Sequence, residues 1–196
     1  MRTVGSENVV SQIRPSVFSL IPNVINSLLP IGGAIFLAIG FSALLVVGFG
    51  SVFGKDFISG DRADVVYTSE RCADYFEFHP EAKDCQSAAT AHHYDEVVDI
   101  RGGIGVLGAM ILIVFYGLRR RFKSLSDVKL MPRGFSSTVG ASLFGAAAFL
   151  LLGIFAMQAG FEGTSGVGVL LSGGLVSAVA FMAYATQLSR DLLRTA

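Results

Sequence analysis

Residues 31–53 read IGGAIFLAIGFSALLVVGFGSVF, and no charged side chain interrupts this run. A helix needs about 20 apolar residues to cross the hydrocarbon core of a membrane, so this stretch is long enough to span it. Three further apolar stretches occupy residues 101–118, 137–159 and 167–188. Charged residues make up only 15% of the chain, against roughly 25% in soluble domains. The sequence therefore predicts an all-α membrane protein with four transmembrane helices.

The charges are sorted between the connecting loops, and this sorting predicts the orientation. Loop 119–136 is strongly basic, whereas acidic residues outnumber basic ones by eleven to four in loop 54–100. Lysine and arginine are retained on the cytoplasmic side of a membrane. We therefore expect loop 119–136, the N-terminal segment 1–30 and the tail 189–196 to be cytoplasmic. Loop 54–100 and the short turn 160–166 would then lie outside, with the plasma membrane as the predicted location.

The chain has two cysteines, Cys72 and Cys85, and both lie in the loop predicted to be extracytoplasmic. Disulfides persist in oxidising compartments, so the two residues are predicted to form one bond. Redox catalysis is the alternative, but twelve residues separate the pair, whereas two separate the cysteines of a thiol-activating Cys-x-x-Cys motif. The spacing therefore favours a structural disulfide.

The N-terminal segment 1–30 carries apolar residues at helical spacing between positions 13 and 28, with polar residues on the other side. This pattern predicts an amphipathic helix lying on the inner membrane surface. An irregular lead-in is the alternative, because Pro22 interrupts the pattern and Pro30 suits the first turn of the crossing. The sequence leaves both open.

Small residues recur four apart within the predicted crossings. The pairs are Gly105 and Ala109, Ala141 and Gly145, and Gly174 and Ala178, and the first crossing contains Gly33 and Gly40. Such spacing lets helix backbones approach closely in lipid, where no hydrophobic effect drives helices together. We expect these faces to pack the bundle against itself, and a homodimer interface is the alternative.

Residues 87–100 contain strong helix formers and no glycine or proline, so we expect a helix that continues into the second crossing. On this helix His92, Glu96 and Asp99 lie at i, i+4 and i+7 and share one face. One imidazole and two carboxylates are suitable ligands for a divalent metal ion. A hydrated acidic face is the alternative, and no other cofactor is expected.

Basic residues mark both ends of the second crossing. Arg101 lies at its predicted outer edge, where a guanidinium needs a carboxylate, a lipid headgroup or access to the surface as a snorkelling side chain. At the inner end, Arg119, Arg120, Arg121 and Lys123 are expected to contact anionic lipid headgroups in addition to setting the orientation. Apart from Arg101, the four predicted crossings contain no charged side chain. A polar ion pathway is therefore not expected.

These features predict a non-catalytic assembly, scaffold or accessory subunit, because no catalytic constellation of side chains is recognisable. Two alternatives stay open: an oligomeric transporter of small molecules or lipids, and an extracytoplasmic module that binds or senses a metal. The expected partners are the bilayer, anionic lipids of the inner leaflet, and a membrane protein or a second copy of the chain. Nucleic acid is not among them.

The orientation can be tested with single cysteines at Ser69 and Ser126 in a variant that lacks Cys72 and Cys85. A membrane-impermeant thiol reagent applied to intact cells should label Ser69→Cys and spare Ser126→Cys, because the basic loop is retained inside. Labelling of Ser126→Cys alone would reverse the predicted orientation.

Overall fold

The structure, a computed structural model, describes residues 17–60, 68–121, 134–161 and 165–193, with side chains described from residue 28 to residue 120 in the first two ranges. The described residues form helices and connecting turns, with no strand among them. In chain order the helices are α1 (Val17–Phe53), α2 (Lys55–Ser59), α3 (Ser69–Phe78), α4 (Cys85–Arg121), α5 (Phe135–Phe161) and α6 (Gly168–Leu193).

Four of these helices are long and apolar enough to cross a membrane. The candidate spans are Leu28–Phe53 in α1, Cys85–Arg120 in α4, Phe135–Phe161 in α5 and Gly168–Leu193 in α6. The predicted class is confirmed in that the described residues are all-helical and four of the helices are long and apolar enough to pass through a membrane. We call the end of the bundle that carries α2 and α3 the cysteine end, and the end that carries Arg119 and Arg120 the basic end.

Helices α1 and α4 begin far before the predicted crossings. α1 begins at Val17, so Pro22 and Pro30 lie inside one continuous helix and Pro30 is not at a first turn. Each proline removes one backbone hydrogen bond, but a lipid environment still favours helix for the surrounding backbone. α4 begins at Cys85 and runs without interruption to Arg121, which confirms that the helix predicted for residues 87–100 continues into the second crossing.

Helices α1 and α4 pack against each other in antiparallel directions and cross at two glycines. A Cβ atom added to Gly40 or to Gly105 would overlap the Cα of the other glycine. Nearer the cysteine end, Gly50 of α1 leaves room for the ring of Tyr94 of α4. The absence of side chains at the crossing therefore brings the two backbones into direct contact, as the small-residue spacing predicted.

Helices α5 and α6 form a second antiparallel pair with a different kind of contact. The ring of Tyr184 fills the space beside Gly140 and stacks on Phe144, with ring centroids 5.6 Å apart. Nearer the cysteine end, Leu152 of α5 packs into the space beside Gly174 of α6. The two pairs join mainly through α1 and α6, whereas α4 and α5 do not pack along their lengths.

The short helix α2 closes the cysteine end of the bundle. Gly54 and Gly60 flank it with φ angles of 90° and 79°, a conformation that side chains disfavour, and the chain folds back there. Ile58 is only 2% exposed, and its side chain and that of Phe57 pack against Gly168 at the start of α6. The sequence analysis treated this segment as loop.

A disulfide ties α3 to the first residue of α4. Cys72 and Cys85 are bonded, with their Cα atoms 5.5 Å apart, so the predicted pairing is confirmed. The residue before α4, Asp84, accepts a hydrogen bond of 2.7 Å from the backbone N–H of Ser87. This bond, the Ser87 side chain and the charge of Lys83 lower the pKa of the Asp84 carboxyl. The carboxylate thereby caps the helix that the disulfide anchors.

The crossing of α1 and α4 predicts opposite effects for one substitution at two nearby glycines. Gly103→Ala adds a methyl group where no atom lies within 4 Å, so it should stabilise α4 by up to about 1 kcal/mol through helix propensity. Gly105→Ala places the same group against Gly40 and should destabilise the bundle by about 1–3 kcal/mol. The measurement is the thermal unfolding midpoint of each variant in detergent. Equal midpoints for the two variants would contradict this packing.

Candidate functional site

The guanidinium of Arg101 lies inside the bundle and contacts both helix pairs. Its Nη1 donates a hydrogen bond of 2.8 Å to Ser42 Oγ of α1 and one of 3.3 Å to Ser172 Oγ of α6. Both serines are buried, at 2% and 0% exposed. From the sequence, Arg101 was expected to meet a carboxylate, a lipid headgroup or the surface; among the described residues its hydrogen-bond partners are two hydroxyls.

The two serines are oriented so that their oxygens face the arginine. Ser42 Oγ donates its proton to the carbonyl of Ile39 at 2.6 Å, and Ser172 Oγ donates to the carbonyl of Val169 at 2.9 Å. A hydroxyl has one proton and two lone pairs, so each oxygen remains free to accept from Arg101. The backbone therefore fixes the direction in which both hydroxyls interact with the guanidinium.

The site lies below the cysteine end of the membrane helices. At a rise of 1.5 Å per residue, Ser42 is about 16 Å along α1 from Phe53, and Ser172 is about 6 Å along α6 from Gly168. Arg101 itself belongs to the candidate span Cys85–Arg120. The sequence analysis placed this charge at the edge of the membrane, whereas the structure directs it into the interior of the bundle.

Arg101 has no ion-pair partner in the part of the chain that the structure describes. The ion pairs among those residues are three, and each involves a histidine. A guanidinium has five N–H donors, and the two serines engage Nη1 alone. No described residue accepts from the Nε and Nη2 groups, and their planar fork matches the two oxygens of a carboxylate or phosphate.

A cavity of about 360 Å³ opens beside the guanidinium. Apart from Arg101, Ser42 and Ser177, its lining is apolar and comes from α1, α5 and α6. Ser177 is 8% exposed and makes no hydrogen bond within the described residues. A buried hydroxyl without a partner costs free energy, and a ligand in the cavity would supply one. Volume and lining fit a site for a small, partly apolar molecule.

A larger groove of about 660 Å³ lies on the other side of α1, between α1 and α6. Its lining consists of alanine, leucine, valine and one phenylalanine, Phe41, which is 53% exposed. No polar side chain lines it, so nothing there would orient a ligand. We therefore treat this groove as membrane-facing surface and the cavity at Arg101 as the candidate site.

The three predicted metal ligands lie along α4 but are engaged separately. His92 packs on the rings of Tyr75 and Phe78, at centroid distances of 5.4 and 5.6 Å. Glu96 Oε2 is 3.5 Å from Nδ1 of His93, and Asp99 is exposed. Among the residues that the structure describes, no three His, Cys, Asp or Glu side chains are grouped so that they could hold a metal ion. A metal at this face stays a prediction from the sequence.

A different histidine holds α3 onto α4. His79 is 7% exposed and follows α3 directly. Its Nε2 lies 3.6 Å from Asp95 of α4, and its Nδ1 lies 3.8 Å from Glu81. These contacts and the disulfide attach α3 to α4 at two points.

The basic residues predicted to contact anionic lipid lie at or beyond the end of α4. Arg119 and Arg120 are exposed there, and the side chain of Arg121 is not described. Lys123 lies outside the described residues. Contact with lipid headgroups at this end stays a prediction.

The sequence analysis missed Ser42, Ser172 and Ser177 as site residues. Serines that bond to a backbone carbonyl one turn earlier are common in membrane helices, so these three had no distinguishing mark. One signal was available, because Arg101 lies four residues before Gly105 and therefore shares its helix face. A face that packs at a small residue directs a nearby arginine into the bundle.

Comparison of the chain with protein-family models, curated proteins and solved structures finds no match.

Proposed function

We propose that this protein binds a small anionic ligand at Arg101 and holds or carries it within the membrane. The observation that carries this proposal is a positive charge inside the bundle that has only hydroxyl partners among the described residues and borders a cavity. Charged groups in membrane helices are costly, and they usually mark a ligand or ion pathway. Of the functions left open by the sequence, this proposal is a more specific form of the transporter of small molecules or lipids.

A purely structural role for Arg101 is the main competing explanation, because its side chain joins α4 to α1 and α6. A structural brace of this kind would be completed by a carboxylate, which would neutralise the charge and occupy the remaining donors. Neither Ser42 nor Ser172 can do this. The Nε and Nη2 donors of Arg101, which no described residue engages, therefore support a role in binding.

We also propose that the cysteine end faces outward across the plasma membrane, with both termini in the cytoplasm. The disulfide at that end suits an oxidising exterior, and the arginines at the opposite end suit the cytoplasm. In this orientation the end of the cavity at Arg101 is the end nearer the exterior.

The binding role predicts that Arg101→Met and Arg101→Gln keep the fold but lose the ligand response. The natural sequence in phosphatidylcholine nanodiscs is tested with a panel of carboxylates and phosphates, some soluble and some lipid-like. At least one of these anions should raise its thermal unfolding midpoint. An anion at 100 times its dissociation constant stabilises a protein by about 2.7 kcal/mol. Both variants should lose this shift, because the fork of donors is gone.

Arg119→Gln is the matched control, since it removes an exposed arginine from the same helix and should leave the shift intact. The unfolding midpoint measured without ligand distinguishes a binding role of Arg101 from a purely structural one. Arg101→Met should be about as stable as the natural sequence or more so, because a partly buried charge with no ion-pair partner among the described residues is replaced by an apolar side chain. A large loss of stability in Arg101→Met, together with no anion response in the natural sequence, would establish the structural brace instead.

The accessory-subunit function stays as a second candidate, and one exposed side chain favours it. Phe78 at the end of α3 is 66% exposed, although the disulfide and His79 hold that helix in place. A large aromatic side chain on a fixed surface is typical of protein contacts.

If α3 docks on another membrane protein, Phe78→Ser should dissociate the complex in mild detergent, whereas Glu77→Ser, an adjacent exposed position, should preserve it. Truncation of a central aromatic contact typically costs about 2 kcal/mol or more. Native electrophoresis followed by mass spectrometry gives the size and composition of the complex. Particles that contain this chain alone for both variants and the natural sequence would count against this function.

A further inference from the structure

We infer that the ligand of Arg101 is an amphiphile, with a carboxylate or phosphate headgroup at the guanidinium and a hydrocarbon chain along the cavity. This inference rests on the proposed function, which requires only an anion. It adds the chemistry of the rest of the ligand and the route by which the ligand arrives.

The charged group lies towards one end of the cavity, and the opposite end is apolar. On α1, Ser42 lies at the level of Arg101, and Ile35 lies about 10 Å closer to the basic end. On α5, which runs parallel to α1, Leu151 lies towards the cysteine end and Leu143 about 12 Å closer to the basic end. The cavity therefore begins at a cation and continues towards the basic end between mostly apolar walls.

A lipid in the leaflet at the cysteine end is oriented in the same direction as the cavity. Its headgroup lies towards that end, and its chain points to the middle of the membrane. Arg101 towards the cysteine end of the cavity and apolar side chains at its far end thus match an amphiphile in its membrane orientation, and Ser177 lies part-way along. A compact soluble anion would occupy only the top of this cavity and would leave the apolar walls unfilled.

Access from water at the cysteine end is restricted by α2. Phe57 and Ile58 pack onto Gly168, and Val167 beside it is 2% exposed. The carbonyl of Asp56 accepts hydrogen bonds from the backbone N–H groups of Gly60 at 2.9 Å and Gly166 at 3.0 Å. In the described part of the chain, these contacts cover the end of α6 that lies directly above Ser172.

Access from the membrane is open on one side. Arg101 of α4 and four side chains of α5 line the same cavity, yet α4 and α5 do not pack along their lengths. The side between these two helices is therefore where a hydrocarbon chain can enter from the bilayer. An amphiphile already dissolved in the membrane needs no route through water.

Two alanines on α5 provide the test. Ala147 lines the cavity, whereas Ala146 is exposed on the same helix. With protein in phosphatidylcholine nanodiscs, binding of radiolabelled palmitate is measured by scintillation proximity for Ala147→Phe, Ala146→Phe, Arg101→Gln and the natural sequence. Ala147→Phe should weaken binding about tenfold because the added ring occupies the space of the chain. Ala146→Phe should bind as the natural sequence does.

Competitors identify the headgroup and separate lipid from soluble anion. Dodecyl phosphate should displace palmitate, whereas acetate and inorganic phosphate at the same concentrations should not. Membrane partitioning alone would also favour the long-chain probes, so the comparison of Ala147→Phe with Ala146→Phe decides whether the chain occupies the cavity. Leu151→Phe, a milder narrowing of the same cavity, should show a smaller loss in the same direction and replaces Ala147→Phe if that variant does not fold.

The possible results separate this inference from the proposed function. If Arg101→Gln loses binding while both alanine variants bind normally, the anion site stands and the chain does not lie in the cavity. If acetate or inorganic phosphate displaces palmitate as effectively as dodecyl phosphate does, the ligand is a soluble anion, and the inference that it is an amphiphile is wrong. If Arg101→Gln binds palmitate as the natural sequence does, both the proposed function and this inference fail.

Discussion

The contact between Gly40 and Gly105 determines the geometry of both the bundle and the site. Arg101 lies one helical turn from Gly105, and Ser42 lies two residues from Gly40, so the crossing sets how closely the guanidinium approaches the hydroxyl. Any side chain at the crossing would separate the two helices and lengthen the 2.8 Å hydrogen bond. Helix packing and the placement of the charge are therefore consequences of the same two missing side chains.

The energetics of Arg101 indicate why a binding role is the better explanation. A hydrogen bond to a charged group contributes about 1.5–3 kcal/mol, and the guanidinium makes two such bonds within the described residues. Removing an ion from water costs several kcal/mol even after relaxation. The two terms are of similar size, so two serines give little net stabilisation in return for the buried charge. Proteins retain such groups where binding or catalysis requires them.

Hydropathy was sufficient to predict the long helices, because a membrane leaves the backbone no other hydrogen-bonded conformation. The cysteine pair was predictable for a similar reason, since the chain offers one pairing. The direction of Arg101 was less readily predictable, because α4 is apolar on all sides below that residue and the spacing to Gly105 was the one indication of which face meets α1. α2 was missed because five residues between two glycines have no readable period. Both depend on contacts between distant parts of the chain.

The size of the cavity depends on residues that do not line it. Because α4 and α5 do not pack along their lengths, the distance between them follows from how the two helix pairs are joined. That joint consists of α1 against α6, together with α2 over Gly168 at the cysteine end. The hydrogen bond from Arg101 to Ser172 crosses the same joint and, at 3.3 Å, is longer than the bond to Ser42 within its own pair. The separation of the pairs, rather than the side chains of the site alone, therefore sets the space that a ligand can occupy.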